Sequence, residues 1–305
     1  QINVTPEGLL RGLAPSSPSS ATDQEASMLA TPVVREAPTW DQFPEPEQFF
    51  DLGSLLAADS PLALPRWLLD WVEKAFRDRA ANLRHLIPHY AGVERAFWKA
   101  GGGAPRNEGD PAVLPQLQEY ATAAGVANPA RTAQEFAADR VFWSAAFVCH
   151  VFRKAGVRPD EFKFDIGHDE YIKHAHRQRM ARSTLAQFWL CTPQEVAPEF
   201  GDILCSNRGG GNVTYTPGQP NGGLPADFGS HGDIVTGMSV NSAGDPVLVT
   251  TGGNVDDSVR RRFVPVNAAF HLTATSHRGV EPANLQPGRY FAIVRIRNSI
   301  AEVYP

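Results

Sequence analysis

Apolar residues recur every three or four positions through the first half of the chain and gather in short runs through the second. From Pro65 onward Trp67, Leu68, Trp71, Val72 and Ala75 form a stripe about 100° wide, which predicts an amphipathic helix. Val93, Phe97 and Trp98 predict a second helix, ended by Gly101-Gly102-Gly103 and separated from the first by Pro88. Leu114 to Ala124 reads as a short helix stopped by Gly125, and Thr132-Ala133-Gln134-Glu135 as a capping box that opens another. Whether that helix runs straight into Trp143 or breaks near Val141, periodicity leaves open. Phe142 to Phe152 continues as an apolar helical run. From about residue 200 the pattern changes. Ile203-Leu204, Ile234-Val235, Val247-Leu248-Val249, Phe263-Val264 and Tyr290 to Ile296 are strand-like, with Gly, Asn, Asp and Pro between them. Helices followed by strands predict an α+β fold with an antiparallel sheet.

The first 46 residues break both patterns. They are rich in Pro, Ser, Thr and Ala, and bury too little apolar surface to fold alone. The expected organisation is an arm or linker over 1–46, docked at its end by Trp40, Phe43, Phe49 and Phe50, a helical region over 47–110, and the main domain over 111–305. A net charge of −5 with scattered basic residues argues against a nucleic-acid surface. No apolar run approaches the roughly 18 residues that span a bilayer, so a soluble chain is expected. The start at Gln1 reads as the product of removing a signal peptide or a tag, and the arm suggests an exported protein, periplasmic or secreted.

Several chemistries can be weighed residue by residue. Cys149, Cys191 and Cys205 have no metal-ligand spacing. Cys149 reads as a core thiol, and a Cys191–Cys205 disulfide stays open. His85 and His89 are four apart, but Pro88 interrupts them. His168, His174 and His176 fall within nine residues without an acidic or cysteine ligand to complete a set, so no metal and no cofactor is expected. The loop from Arg208-Gly209-Gly210-Gly211-Asn212 to Gly229 lacks the Gly-Lys-Ser/Thr ending of a phosphate loop and reads as a rim or lid. The sharpest candidate is Ser144, between aromatics and two alanines. A nucleophile at a helix start would meet unpaired N–H groups and the positive end of the helix dipole.

The order of motifs then matters: Trp143-Ser144-Ala145-Ala146-Phe147-Val148, Gly201-Asp202-Ile203-Leu204, His231-Gly232-Asp233-Ile234-Val235 and Gly252-Gly253-Asn254. This order resembles papain-like hydrolases, and within them the NlpC-type peptidases and cysteine-histidine amidohydrolases (CHAP) of bacterial cell walls. With His168-Asp169-Glu170-Tyr171-Ile172 added, it looks like the bacterial domain of unknown function 2272, over about residues 110 to 300. The resemblance implies a papain-like (NlpC-type) helix packed on an antiparallel sheet. It implies Ser144 as nucleophile in place of cysteine, His231 as base and Asn254 as orienter, with Asp233 a rival orienter on the same strand face. The implied activity is hydrolysis of amide bonds in the bacterial cell envelope, with peptidoglycan stem peptides as substrate. Two other readings share the frame: a papain-like module that binds without cutting, and a secreted antibacterial toxin held in check by an immunity protein. Serine in a cysteine position is open to three explanations: a native serine enzyme, an inactive homologue, or an engineered replacement.

Overall fold

The stripe that begins near Trp67 does not stop at Pro88. In the computed structural model, which describes residues 66–99, 105–208, 212–273, 276, 278–280, 284–286 and 290–302, helix α1 runs unbroken from Arg66 to Lys99. This corrects the expectation of two helices. Val72, Phe76, Ala80, Leu83, Ile87, Ala91, Glu94 and Trp98 are buried at spacings of three and four straight through the proline. That continuous face offsets the roughly 3 kcal/mol that an interior proline costs. The arm over 1–46, its docking aromatics and the stretch to residue 65 lie outside the described residues.

Helix α2 (Leu114–Ala123) follows a 3-10 turn in which the Asp110 side chain accepts from the Ala112 N–H. Helix α3 starts at Pro129 rather than at the capping box, and ends at Ala137. Asn128 caps it by accepting from the Arg131 N–H, and Pro129 at the first position has its φ preset for a helix. After Ala137 the chain turns through Asp139 at φ 50°, which settles the open question near Val141: there is a break. Helix α4 then begins at Ser144 and runs to Lys154, and α5 spans His168–Met180.

The strands are β1 (Phe188–Cys191), β2 (Ile203–Asn207), β3 (Ser230–Val240), β4 (Pro246–Val255), β5 (Ser258–Pro265), β6 (Arg278–Val280), β7 (Asn284–Gln286) and β8 (Tyr290–Ile296). They form one sheet in the order β1-β8-β2-β3-β4-β5-β6-β7, every neighbouring pair antiparallel. The fold is α+β. Because β8 lies between β1 and β2, Cys191 faces Ile293 and Cys205 faces Ala292 across different ladders. They do not meet, and both are free buried thiols.

Each face of the sheet has its own core. Ile203, Cys205, Ile234 and Val294 join the helices in the larger one, while Leu204, Val235, Leu248, Val264 and Ile293 build a smaller one on the far face. The Gly201-Asp202 turn holds α1 to the sheet. Asp202 is fully buried, accepts from the N–H groups of Glu199 (2.9 Å) and Ile296 (3.0 Å), and pairs with Arg84 of α1 at 3.1 Å and Arg295 of β8 at 3.5 Å. Gly201 sits at φ 85°, where an added Cβ would lie 2.8 Å from Ile296 Cδ1. Asp202→Ala is therefore expected to cost about 1–3 kcal/mol, since it leaves the Glu199 and Ile296 N–H groups without their buried acceptor, while Arg84 and Arg295 keep their pairs with Glu199. Gly201→Ala is expected to cost about 1–3 kcal/mol. Denaturant unfolding checks both, and a change below 0.5 kcal/mol for Asp202→Ala would contradict the clasp.

Candidate functional site

Ser144 is the first residue of α4, and the residue before it is what fixes it. Trp143 stacks on Trp98 (centroids 4.8 Å apart) and on Tyr120 (5.7 Å), and its indole N–H donates to Glu108 Oε2 at 2.5 Å. No side chain caps the helix, and its first backbone bond runs from the Phe147 N–H to the Trp143 carbonyl. The N–H groups of Ser144, Ala145 and Ala146 come before that bond and stay outside the helical ladder. They place a partial positive charge where an oxyanion would develop.

The partner of Ser144 comes from α5. Ser144 Oγ lies 2.6 Å from His168 Nε2, its one hydrogen-bond partner among the described residues. On the other side of the ring, His168 Nδ1 lies 2.6 Å from Tyr171 Oη, one helical turn further along. Burial pushes the Tyr171 phenol well above its ordinary range, so it stays protonated. Burial also holds His168 well below the usual histidine range, helped by the nearby His231 and Arg208, with the Asp233 carboxylate pulling the other way. The imidazole is thus neutral at physiological pH. Both side chains rest directly on the β3 backbone. A Cβ at Gly232 would fall 2.2 Å from Tyr171 Oη and 3.1 Å from His168 Nδ1, so only glycine fits there.

His231 belongs to a second array. Its Nε2 lies 3.0 Å from Asp233 Oδ1, and Arg262 donates to Asp233 Oδ2 at 2.8 Å, all three residues being buried. Alternation along β3 turns Gly232 and Ile234 toward the helices, and His231 and Asp233 toward the far face. The neighbouring strand agrees: a Cβ at Gly253 would strike Phe147 and Trp143 of the helical layer, whereas one at Gly252 would strike the Asp233 carboxylate. The two arrays meet at the start of β3, where the His168 and His231 ring centroids are 5.5 Å apart. Asn254, expected to orient His231, sits on β4 at φ 51° with its buried Nδ2 making no hydrogen bond. Asp233 makes the bond that orients His231.

A family model described as an uncharacterized protein conserved in bacteria (DUF2272) matches residues 114–294. The chain belongs to this family. No curated protein and no solved structure matches it significantly. The DUF2272 match takes in Ser144, His168, Tyr171, His231, Asp233 and Asn254, and starts at α2, beyond the long α1.

His168 is the residue that motif order missed. In the sequence it reads as one of three clustered histidines with His174 and His176, and the signal that points to it is the spacing of three between His168 and Tyr171. Among the described residues no group of three His, Cys, Asp or Glu side chains could hold a metal. His176 instead faces Tyr215 Oη at 3.3 Å. Cys149 is buried, and its thiol donates to the Asp165 carbonyl. No described helix is long and apolar enough to cross a membrane.

The depressed His168 makes a prediction with a definite sign. The folded state keeps the ring neutral, while the unfolded chain protonates it near the ordinary value of 6.5. Its contribution is therefore present above that pH and lost as the pH falls through it. Thermal unfolding followed from pH 8 to pH 5 should show stability dropping below about pH 6.5. His168→Gln should flatten part of that drop, and identical slopes for the two proteins would contradict the assignment.

Proposed function

We propose that this chain is an acyl hydrolase acting on amide bonds, with Ser144 as nucleophile and His168 as the base in contact with it. The observation that carries the reading is the 2.6 Å approach of Ser144 Oγ and His168 Nε2 at the uncapped start of a buried helix. A serine hydroxyl is barely ionised near neutral pH, so it needs a neutral base already in reach, which a thiolate does not. That favours a native serine site over a cysteine site that has lost its thiol.

The steps follow from the geometry. As Ser144 Oγ attacks the carbonyl carbon, its proton passes to His168 Nε2, and His168 Nδ1–H donates to Tyr171 Oη. The oxyanion is received by the free N–H groups at the start of α4. His168 then gives the proton to the leaving amine, the C–N bond breaks, and a water deprotonated by His168 hydrolyses the acyl ester. The Asp233 carboxylate, fixed by Arg262, acts through space on the passing imidazolium. His168 and Tyr171 thus fill the base and orienter places that the papain-like resemblance gave to His231 and Asn254. His231 stands behind them with Asp233. The finer fold assignment, papain-like of the NlpC type, and the peptidoglycan stem-peptide substrate in the bacterial envelope are supported by the motif resemblance. An exported location belongs to the same reading.

A second reading, a module that binds without cutting, draws on burial: Ser144 keeps only 1% of its surface exposed. A fluorophosphonate probe separates the two, because it labels activated serines. Labelling of the folded protein at Ser144, absent in Ser144→Ala, is expected, and an unlabelled wild type would favour the binding module. His168→Ala should slow labelling about a thousandfold and His231→Ala clearly less. The reverse order would return the base to His231. Tyr171→Phe leaves a buried N–H unpaired and should slow labelling about tenfold to a hundredfold.

A further inference from the structure

We infer that Ser230 is a third polar residue of the Ser144–His168 site, its hydroxyl donating to the oxygen of the scissile carbonyl alongside the N–H groups at the start of α4. The inference rests on the hydrolase reading and adds to it a residue that touches the substrate. Ser230 opens β3 and is 5% exposed, and its Oγ makes no hydrogen bond among the described residues. A buried hydroxyl without a partner lowers stability, so it calls for a role that the folded chain alone does not supply. Ser206, Thr250 and Ser258 also have buried hydroxyls without such a bond, but register separates them from Ser230. Ser206 pairs with His231 and Thr250 with Val235, and both partners turn to the far face of the sheet. Ser258 precedes Val259, which belongs to the helix-side core, so it turns to the far face as well. Ser230 lies two residues before Gly232 and shares its helix-facing side.

Two contacts of the site bracket that hydroxyl. About 7 Å along the strand is Gly232, against which His168 and Tyr171 rest. Across the ladder is Asn207, followed by Arg208, whose guanidinium carbon stands 3.3 Å from the centre of the Phe142 ring. Phe142 comes two residues before Ser144, so this stack ties the strand end that bears Ser230 to the helix start that bears Ser144. Neighbouring groups are committed elsewhere. The Asn207 side chain donates to and accepts from the Val213 backbone at 3.1 and 2.9 Å, and His168 has Ser144 on one ring nitrogen and Tyr171 on the other. Ser144 is as deeply buried as Ser230, so an acyl group that parts this lip to reach one hydroxyl reaches the other. As Ser144 Oγ attacks, the carbonyl oxygen gains charge. An O–H donor held ready in a dry site then stabilises it more strongly than it did the ground-state carbonyl.

The test sets activity against stability, because a substrate contact and a structural contact move them in opposite ways. Ser230→Ala removes a hydroxyl that has no bond to lose, so the free protein should unfold at the same or a higher temperature. With 4-nitrophenyl acetate its kcat should fall about a hundredfold while KM stays within about twofold. Labelling of Ser144 by a fluorophosphonate, whose phosphoryl oxygen takes the oxyanion's place, should slow by a similar factor. Ser230→Thr keeps the hydroxyl and should restore most of both. Ser144-dependent turnover that Ser230→Ala leaves unchanged, a loss carried by KM alone, or clearly earlier unfolding of Ser230→Ala overturns the inference while the hydrolase reading survives. Turnover and labelling that are equal in wild type and Ser144→Ala, or absent from both, overturn the hydrolase reading and this inference with it.

Discussion

A helix that begins inside a protein core leaves backbone N–H groups without partners in a medium where each is expensive. Much of what surrounds Ser144 follows from that constraint. Trp143 has to be fixed, or the helix start would drift toward water. Trp98 and Tyr120 stack on it, Glu108 accepts from its indole N–H, and Tyr120 donates in turn to the buried Glu94. Trp98 and Glu94 come from α1, which is why that helix must run past Pro88. The cost of the uncapped helix start is borne by the fold so that the site receives oriented donors before any substrate arrives.

The site is also shaped by what a strand cannot accommodate. His168 and Tyr171 lie against bare backbone at Gly232, and the Asp233 carboxylate lies against bare backbone at Gly252. Two missing side chains, one on each face of the sheet, let two polar arrays press in from opposite sides and come within 5.5 Å. The histidine on the helical face holds a neutral phenol, and the one on the far face holds a carboxylate tied to an arginine. The sheet therefore separates a proton-accepting imidazole from the charged pair that influences it.

Much of this was legible in the sequence. The change from helical to strand spacing near residue 200 marks the α+β division, and the small residues after Trp143 mark the helix that carries Ser144. Pro88 misled because a local cost was weighed without the tertiary face that offsets it. Thr132 misled because a capping box was read where Asn128 and Pro129 supply a stronger start. His168 was hidden for another reason. Its contact with Ser144 spans 24 residues, and helical periodicity says nothing about which distant helix start it meets. The side on which His231 falls was equally closed to inspection. Residues 230 to 235 are buried on both faces, so β3 shows no polar alternation to say which set turns toward the helices.

The position of β8 has a consequence for how the chain comes together. It follows every other strand in sequence, yet it lies between the first two. Until it pairs, β1 has no neighbour in the sheet and β2 has one bare edge. The two ladders that join β1 to the rest of the sheet therefore form only after β8 has been made, so this side of the sheet closes last. The interval leaves unpaired strand edges open to the wrong partner, and the helical layer, complete much earlier, is the natural shelter for them.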